Sequence, residues 1–168
     1  VPHIIERIRD LIGNTGTVAD IMAGTGSVSL GLRKCGYKVI ASDVMTYSYH
    51  HLVSNLQIGE YPEFSALMPK IDTPGTKEPY KDVLSYLNAL RPKKSFFYRE
   101  FSPDGVPLNG CPARKYFTAD NAAKIDAIRE KINEWIEGHF ITSKEESLLK
   151  HTLIMAVNEV ANISGTYG

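Results

Sequence analysis

The residues of this chain that could do chemistry are concentrated around a short glycine-rich turn, Gly24-Thr25-Gly26-Ser27. An apolar segment, residues 18–22, precedes the turn, and a second apolar segment, residues 37–42, leads to Asp43. Glycines let the backbone pass close to a ligand, and the first N–H groups of the following helix would face it. A carboxylate after the second strand can accept hydrogen bonds from ribose hydroxyls. The order predicts a nucleotide-binding βαβ unit for an adenosine-containing cofactor.

The residues around the turn discriminate between adenosine-containing cofactors. Ser29 occupies the third glycine position of a dinucleotide-binding turn, and no Lys follows at the spacing of a phosphate-binding loop. Asp20, within the first strand, would repel a pyrophosphate but suits the ammonium group of a methionine moiety. S-adenosylmethionine therefore fits the pattern better than NAD or ATP. The alternative is a structural strand–turn–helix in an unrelated α/β protein.

Composition limits the class of protein. Of the 168 residues, 43% are hydrophobic, which is enough for a packed core. Lys plus Arg and Asp plus Glu both number 19, so a nucleic-acid partner would have to meet a local patch. Two distant cysteines, Cys35 and Cys111, favour free thiols in a reducing cytoplasm. We expect no membrane span, because the apolar stretches are short, and no metal site, because the histidines lack ligand spacing to either cysteine.

The distribution of prolines and of regularly spaced apolar residues predicts three parts of the chain: residues 1–58, 59–115 and 116–168. In the first part, apolar spacing predicts a helix over 4–12 and another over about 46–56. These helices flank the two strands and the helix that follows the glycine turn.

The second and third parts differ in their content of proline. Most prolines fall within 59–115, which predicts an insertion of loops and short strands with one helical patch at 83–90. Regular helical spacing returns from Asp120 and ends at Gly138. A final helix is predicted to start at the capping-box pair Ser143 and Glu146.

Three segments, in this order, resemble the D12 class of N6-adenine DNA methyltransferases. The run from Asp20 to Ser27, with Ser42-Asp43, is similar to the family's first motif: an acid, an apolar pair, then Ala/Val-Gly-x-Gly-Ser. Residues 116–129 are similar to the segment after the family's insertion. Residues 158–168 are similar to the segment that leads to its catalytic motif. The resemblance covers nearly the whole chain except residues 59 to about 108.

The resemblance implies a fold and a reaction. The fold would be α/β: a Rossmann-like class I sheet of S-adenosylmethionine-dependent methyltransferases, partial in this chain, with an inserted target-recognition subdomain. The reaction would be methyl transfer from S-adenosylmethionine to N6 of a flipped-out adenine in duplex DNA. The setting would be the cytoplasm of a bacterium or archaeon, or a phage, in a restriction–modification system or as an orphan enzyme.

Two motifs of the family are not found in the chain. Its Asp-Pro-Pro-Tyr motif, which would bind adenine N6, is expected after Gly168, and its Lys-containing motif is expected before Val1. We therefore expect no catalytic residue within residues 1–168 and no activity from this fragment alone. Two other functions stay open: a non-catalytic methyltransferase-like module that binds DNA or a partner, and a methyltransferase acting on RNA or a small molecule.

The predicted cofactor-binding residues lie on the turn and the flanking strands. Asp43 would accept the ribose hydroxyls, or would only cap the next turn. Asp20 would face the amino-acid end of the cofactor, or would be a satisfied buried acid. Val44 would pack on the adenine ring, or would belong to the core. The remaining residues that would line the turn are Met22, Ala23, Gly24, Thr25, Gly26 and Ser27.

A local basic patch is predicted to contact double-stranded DNA. Cations between residues 91 and 99 interleave with aromatic residues 96–98, which suits phosphate contacts combined with stacking. The resemblance also implies that target recognition lies in this part of the chain. The alternative is a solvated edge of a small subdomain. The predicted DNA-contacting residues are Lys93, Lys94, Arg99, Arg114 and Lys115.

Overall fold

The computed structural model describes residues 1–162. The last six residues of the segment 158–168, which resembles the approach to the catalytic motif, therefore lie outside the described residues. The described chain combines helices with a two-stranded parallel sheet, a mixed α/β arrangement. It forms two compact units. Unit 1 contains Val1–Tyr61 and Ser143–His151, and unit 2 contains Pro62–Thr142 and the described residues from Thr152.

The helices and strands follow one another in an order that places one βαβ unit near the start of the chain. The first five elements are α1 (Pro2–Ile12), β1 (Thr17–Asp20), α2 (Ser27–Lys34), β2 (Lys38–Ala41) and α3 (Thr46–Gln57). A 3-10 turn, Met68–Lys70, follows, and the remaining helices are α4 (Pro79–Ala89), α5 (Phe96–Phe101), α6 (Ala119–Glu137) and α7 (Ser143–Val160).

The βαβ unit of unit 1 matches the predicted order of elements. Strands β1 and β2 pair in parallel, with Thr17 opposite Lys38 and Asp20 opposite Ala41. β1 ends at Asp20, two residues before the end of the apolar segment 18–22, because the chain turns away there and the N–H of Ala23 then donates to the carbonyl of Ser42 at 3.0 Å. The connection through α2 places the ends of both strands beside the glycine turn.

Unit 2 contains helices where we expected short strands. Among residues 59–115, all of which are described, the structure has the 3-10 turn, α4 and α5 but no strand, so that expectation is wrong. Two of the prolines account for part of the difference, because Pro69 and Pro79 lie in the first turn of a helical element. Proline is favoured there, since the N–H that it lacks has no helical partner. These prolines start helices and do not separate strands.

Helix α6 packs within unit 2 around a buried carboxylate. Asp126 is fully buried and accepts hydrogen bonds from the backbone N–H groups of Ser95, Phe97 and Tyr98, at 3.0, 2.9 and 2.8 Å. The acid thus satisfies free N–H groups at the start of α5. Contacts group α6 with the proline-rich segment, whereas the sequence pattern assigned residues 116–168 to a third part. The three-part division stays a prediction.

None of the helices in residues 1–162 is long and apolar enough to cross a bilayer.

Candidate functional site

The glycine turn has a backbone that only glycine adopts easily. Gly24 has φ of +55° and Gly26 has φ of +80°, and Gly26 is the residue that precedes the first turn of α2. The N–H of Gly26 donates to the carbonyl of Ala23 at 2.8 Å. Left-handed backbone of this kind strains residues with a Cβ. The two glycines that the sequence singled out are therefore required by the shape of the turn.

Asp43 joins the end of β2 to this turn. Its Oδ2 accepts a hydrogen bond from the N–H of Gly24 at 2.8 Å, and its Oδ1 accepts one from the N–H of Met45 at 2.9 Å. Both bonds lower the pKa of the Asp43 carboxyl, and the bond from Met45 has the larger effect. The side chain thus caps the next turn, which was the alternative to ribose binding. A carboxylate has about four acceptor positions, so both roles are compatible.

Asp20 lies at the end of β1 and contacts α2. Its Oδ2 accepts a hydrogen bond from the hydroxyl of Ser29 at 2.6 Å, and Ser29 is fully buried. This contact is the arrangement of a satisfied, half-buried acid. The role of Asp20 toward the amino-acid end of a cofactor stays a prediction.

The apolar residues beside the turn are open to solvent. Met22 is 84% exposed and Val44 is 95% exposed. The alternative that Val44 belongs to the core is therefore wrong. Thr25 and Ser27 place their hydroxyl oxygens 3.0 Å apart on the exposed side of the turn. The turn thus presents two hydroxyl groups to solvent, and the apolar side chains beside it are exposed and do not pack in the core.

Helix α3 packs against the glycine turn, a contact that was not predicted from the sequence. The side-chain amide of Asn55 donates to the carbonyl of Thr25 at 3.0 Å. A Cβ at Gly26 would lie 2.8 Å from Leu52 Cδ2, so Leu52 fills the space directly beneath the glycine. Leu52 and Asn55 are three residues apart and share one face of the helix. That spacing was the signal in the sequence, but nothing local indicated that this face meets the turn.

A histidine cluster in unit 1 joins α3 to the first half of α7. His51 Nδ1 lies 2.6 Å from His151 Nδ1, and His50 Nδ1 lies 3.1 Å from the hydroxyl of Ser147. Burial lowers the pKa of all three histidines. Among the described residues, the structure has no group of three or more potential metal ligands. The cluster is an interhelical contact between α3 and α7.

The predicted DNA-contacting residues differ in their surroundings within unit 2. The Lys93 ammonium pairs with Glu130, whose carboxylate raises the pKa of the lysine. Lys94 lies 4.7 Å from the ring centre of Tyr98, and this side chain raises the pKa of Lys94.

The other predicted residues lie nearer to the end of α5 and the loop that follows it. Arg99 Nε lies 2.7 Å from a Glu100 oxygen. The Arg114 guanidinium lies 5.6 Å from the ring centre of Phe101, and Lys115 is exposed. Some of the predicted DNA-contacting cations are therefore paired with an acid, and others lie over an aromatic ring. The sequence alone did not distinguish these two groups.

A family model and several curated proteins match nearly the whole length of the chain. The model of the D12 class N6 adenine-specific DNA methyltransferases matches residues 2–168. Type II methyltransferase M.FokI of Planomicrobium okeanokoites is 36% identical over 167 residues, which are 98% of this chain and 23% of the relative. Modification methylase LlaI of Lactococcus lactis subsp. lactis is 32% identical over 170 residues, 99% of this chain and 24% of the relative.

A third relative covers the chain less completely. Type II methyltransferase M.NlaIII of Neisseria lactamica is 29% identical over 149 residues, which are 89% of this chain and 39% of the relative. The chain therefore spans less than half the length of each of these curated relatives. No solved structure matches the chain.

Proposed function

Because the chain belongs to the D12 class of N6 adenine-specific DNA methyltransferases, we propose that the intact protein methylates adenine N6 in duplex DNA, with S-adenosylmethionine as donor. The observation that carries the proposal is the glycine turn tied to the acid after β2, through Gly24 and Asp43. The names of relatives, two type II methyltransferases and a modification methylase, favour a role in restriction–modification. A cytoplasmic location follows from that role.

The finer fold follows from the same premise. The βαβ unit of unit 1 is the cofactor-binding part of a Rossmann-like class I methyltransferase sheet. The segment 59–115 supplies an inserted target-recognition subdomain in this proposal, and its residues 62–115 belong to the same compact unit as α6. The parallel pairing of β1 with β2 supports this assignment, since parallel strands require a crossover such as α2.

The residues around the turn fit S-adenosylmethionine. The exposed side chains of Met22 and Val44 offer apolar surface to the adenine ring beside an open turn. When bound, the cofactor supplies an electrophilic sulfonium methyl group. The chain's contribution is to position that group, which can lower a barrier by about 7–11 kcal/mol when the geometry is favourable. The turn itself, from Ala23 to Ser27, lies against the cofactor in this proposal.

Two acids would orient the cofactor on either side of the turn. Asp43 accepts hydrogen bonds from Gly24 and Met45, and its remaining acceptor positions are proposed to bind ribose hydroxyls. Asp20 would attract the ammonium group of the methionine moiety, with Ser29 holding its carboxylate in place. Neither acid takes part in proton transfer in this proposal, since both act by binding and orientation.

Unit 2 would hold the duplex. Of the five cations that the sequence pattern predicted, those proposed here to contact phosphate groups are Lys94, Arg99, Arg114 and Lys115, whereas Lys93 pairs with Glu130 and is left out. Phosphate contacts fix the register of a protein on DNA and carry little sequence information. Extruding the target adenine from the duplex costs a few kcal/mol, which these contacts would offset.

The test is methyl transfer by the intact protein to duplex DNA, followed by digestion to nucleosides and mass spectrometry. We expect N6-methyladenine in the DNA and none in RNA of the same sequence. Asp43→Ala should lower the yield at limiting cofactor, whereas Asp10→Asn, a matched change of an exposed acid on α1, should not. Methylation of RNA alone, or of no nucleic acid, would contradict the proposal.

A further inference from the structure

We propose that the main DNA-contacting surface of unit 2 is a set of three arginines, Arg99, Arg114 and Arg129, arranged around the aromatic side chains of α5. We call it the arginine–aromatic surface, and its ligand is the phosphodiester backbone of duplex DNA. The inference rests on the proposed function for the identity of the ligand. It adds Arg129 of α6, which the sequence pattern did not indicate, and it removes Lys93.

The three guanidinium groups are linked by contiguous rings. The Arg99 and Arg129 guanidinium carbons lie 5.9 and 5.4 Å from the ring centre of Phe96. Phe96 lies 5.7 Å from Phe101, and the Arg114 guanidinium carbon lies 5.6 Å from the ring centre of Phe101. Residues from α5, from α6 and from the loop between them thus form one continuous surface.

The two acids that form ion pairs with these arginines are less exposed than the arginines themselves. Arg99 and Arg129 have side chains that are each 38% exposed, whereas their acidic neighbours Glu100 and Asp126 are 12% and 0% exposed. Both acids also have backbone partners, since Glu100 accepts from the N–H of Leu108, and Asp126 caps the start of α5. The solvent side of this surface therefore carries guanidinium groups, and the charges of Glu100 and Asp126 are turned inward. Glu130, whose pKa is lowered by its pair with Lys93 and also by the Arg129 charge, is 29% exposed at the α6 end of the surface.

At the lysine end of the predicted basic patch, the acids that pair with the lysines are themselves open to solvent. Lys93 is 63% exposed, but its ion-pair partner Glu130 is also 29% exposed. Lys131 is paired in the same way, with a Glu134 side chain that is 61% exposed. A phosphate approaching these lysines would also approach their carboxylates. The net attraction is therefore weaker than at the arginines.

The chemistry of the surface matches a phosphate backbone. A guanidinium packed on a ring is held in a fixed orientation, and its planar N–H groups can bind a phosphate with two hydrogen bonds. Phe96 and Tyr116, which are 39% and 44% exposed, add apolar area beside the cations that suits sugar or base faces. Lysines provide charge without this orientation.

The experiment measures the affinity of the intact protein for a fluorescent duplex across a series of salt concentrations. We expect Arg114→Gln and Arg129→Gln each to reduce the slope of log affinity against log salt by about 0.9, the value for one lost phosphate contact. Lys93→Gln, the matched control, should leave the slope unchanged. Arg129→Lys keeps the charge beside Asp126, and should keep the slope while lowering affinity.

The variants separate this inference from the proposed function. Unchanged slopes in folded Arg114→Gln and Arg129→Gln would overturn the surface, even if the protein methylates adenine normally. An equal loss in Lys93→Gln would also overturn it, because general charge would then explain binding. A wild-type protein that does not bind duplex DNA would refute the proposed function and this surface together. If Arg129→Gln fails to fold, the comparison of Arg114→Gln with Lys93→Gln decides.

Discussion

The backbone N–H of Gly24 donates a hydrogen bond to the Asp43 carboxylate at 2.8 Å, so the acid after β2 holds the turn after β1. The same carboxylate accepts from Met45 at the start of α3. One side chain therefore connects three elements at the point where the cofactor is proposed to bind. Local structure and ligand binding are coupled at this residue.

Asp43→Ala should weaken binding of S-adenosylmethionine. The variant loses the hydrogen bonds that the ribose hydroxyls would donate to the carboxylate, and it also loses the bond from the Gly24 N–H that holds the turn. We therefore expect the Kd to rise by roughly 10- to 100-fold. Isothermal titration calorimetry on the intact protein measures the change, with Asp10→Asn as a control. An unaltered Kd in a folded Asp43→Ala protein would refute the ribose assignment.

Asn55→Ala should weaken cofactor binding through the turn that Asn55 supports. Loss of the bond to the Thr25 carbonyl should raise the Kd by roughly 2- to 10-fold. Arg33→Ala is the matched control, because Arg33 donates to the carbonyl of Leu56 and so joins α2 to α3 without contacting the turn. If both variants lower the melting temperature equally and neither changes the Kd, Asn55 has only a structural role.

The stability of unit 1 should fall as the pH decreases below about 6.5. Burial lowers the pKa of His50, His51 and His151 from 6.5, so the unfolded chain binds protons more readily than the folded one. Their contribution is fully present above the unfolded pKa and is lost as the pH falls through the folded pKa. Besides burial, the charges of Lys150 and His51 lower the pKa of His50, and the charge of Glu146 raises it.

Melting temperatures between pH 8 and pH 5 test this expectation. The wild-type protein should lose stability on acidification, and His51→Gln should reduce that dependence, because one of the buried imidazoles no longer titrates. His3→Gln removes an imidazole that is 99% exposed and should leave the dependence unchanged. Identical pH profiles for all three proteins would contradict a role for the cluster in acid sensitivity.

Asp126→Ala should destabilise unit 2. The substitution leaves three backbone N–H groups at the start of α5 without a partner, which should lower the free energy of unfolding by about 3 kcal/mol or more. Urea denaturation measures the loss. Glu137→Gln, an exposed change at the end of the same helix, should stay within about 0.5 kcal/mol of wild type. A loss in Asp126→Ala no larger than that of the control would show that water replaces the carboxylate.

The elements of unit 1 were predictable because their signals are local. The positions of Gly24 and Gly26, with apolar residues before the turn and an acid after the second strand, specified the order strand, turn, helix, strand. Helix α6 was predictable from the same kind of information, since its apolar spacing runs from near Asp120 to the stop at Gly138. These patterns depend on backbone conformation and on the helical repeat, and a single stretch of sequence contains both.

The middle segment was predicted less well. Prolines were read as breaks between short strands, whereas Pro69 and Pro79 lie in first turns of helical elements. A proline that ends one element and a proline that starts another look alike in sequence. Only the packing of the following residues decides between them.

By itself, the sequence determined the βαβ unit, the glycine turn and the candidate acids, because local turn chemistry and residue periodicity specify them. Only the tertiary structure decided that Asn55 meets Thr25, that Asp126 caps α5, and that Lys93 is paired while Arg129 lies against Phe96. These contacts join residues far apart in the chain. Their formation depends on how helices pack, and a charge or an amide in the sequence carries no information about the partner that packing brings to it.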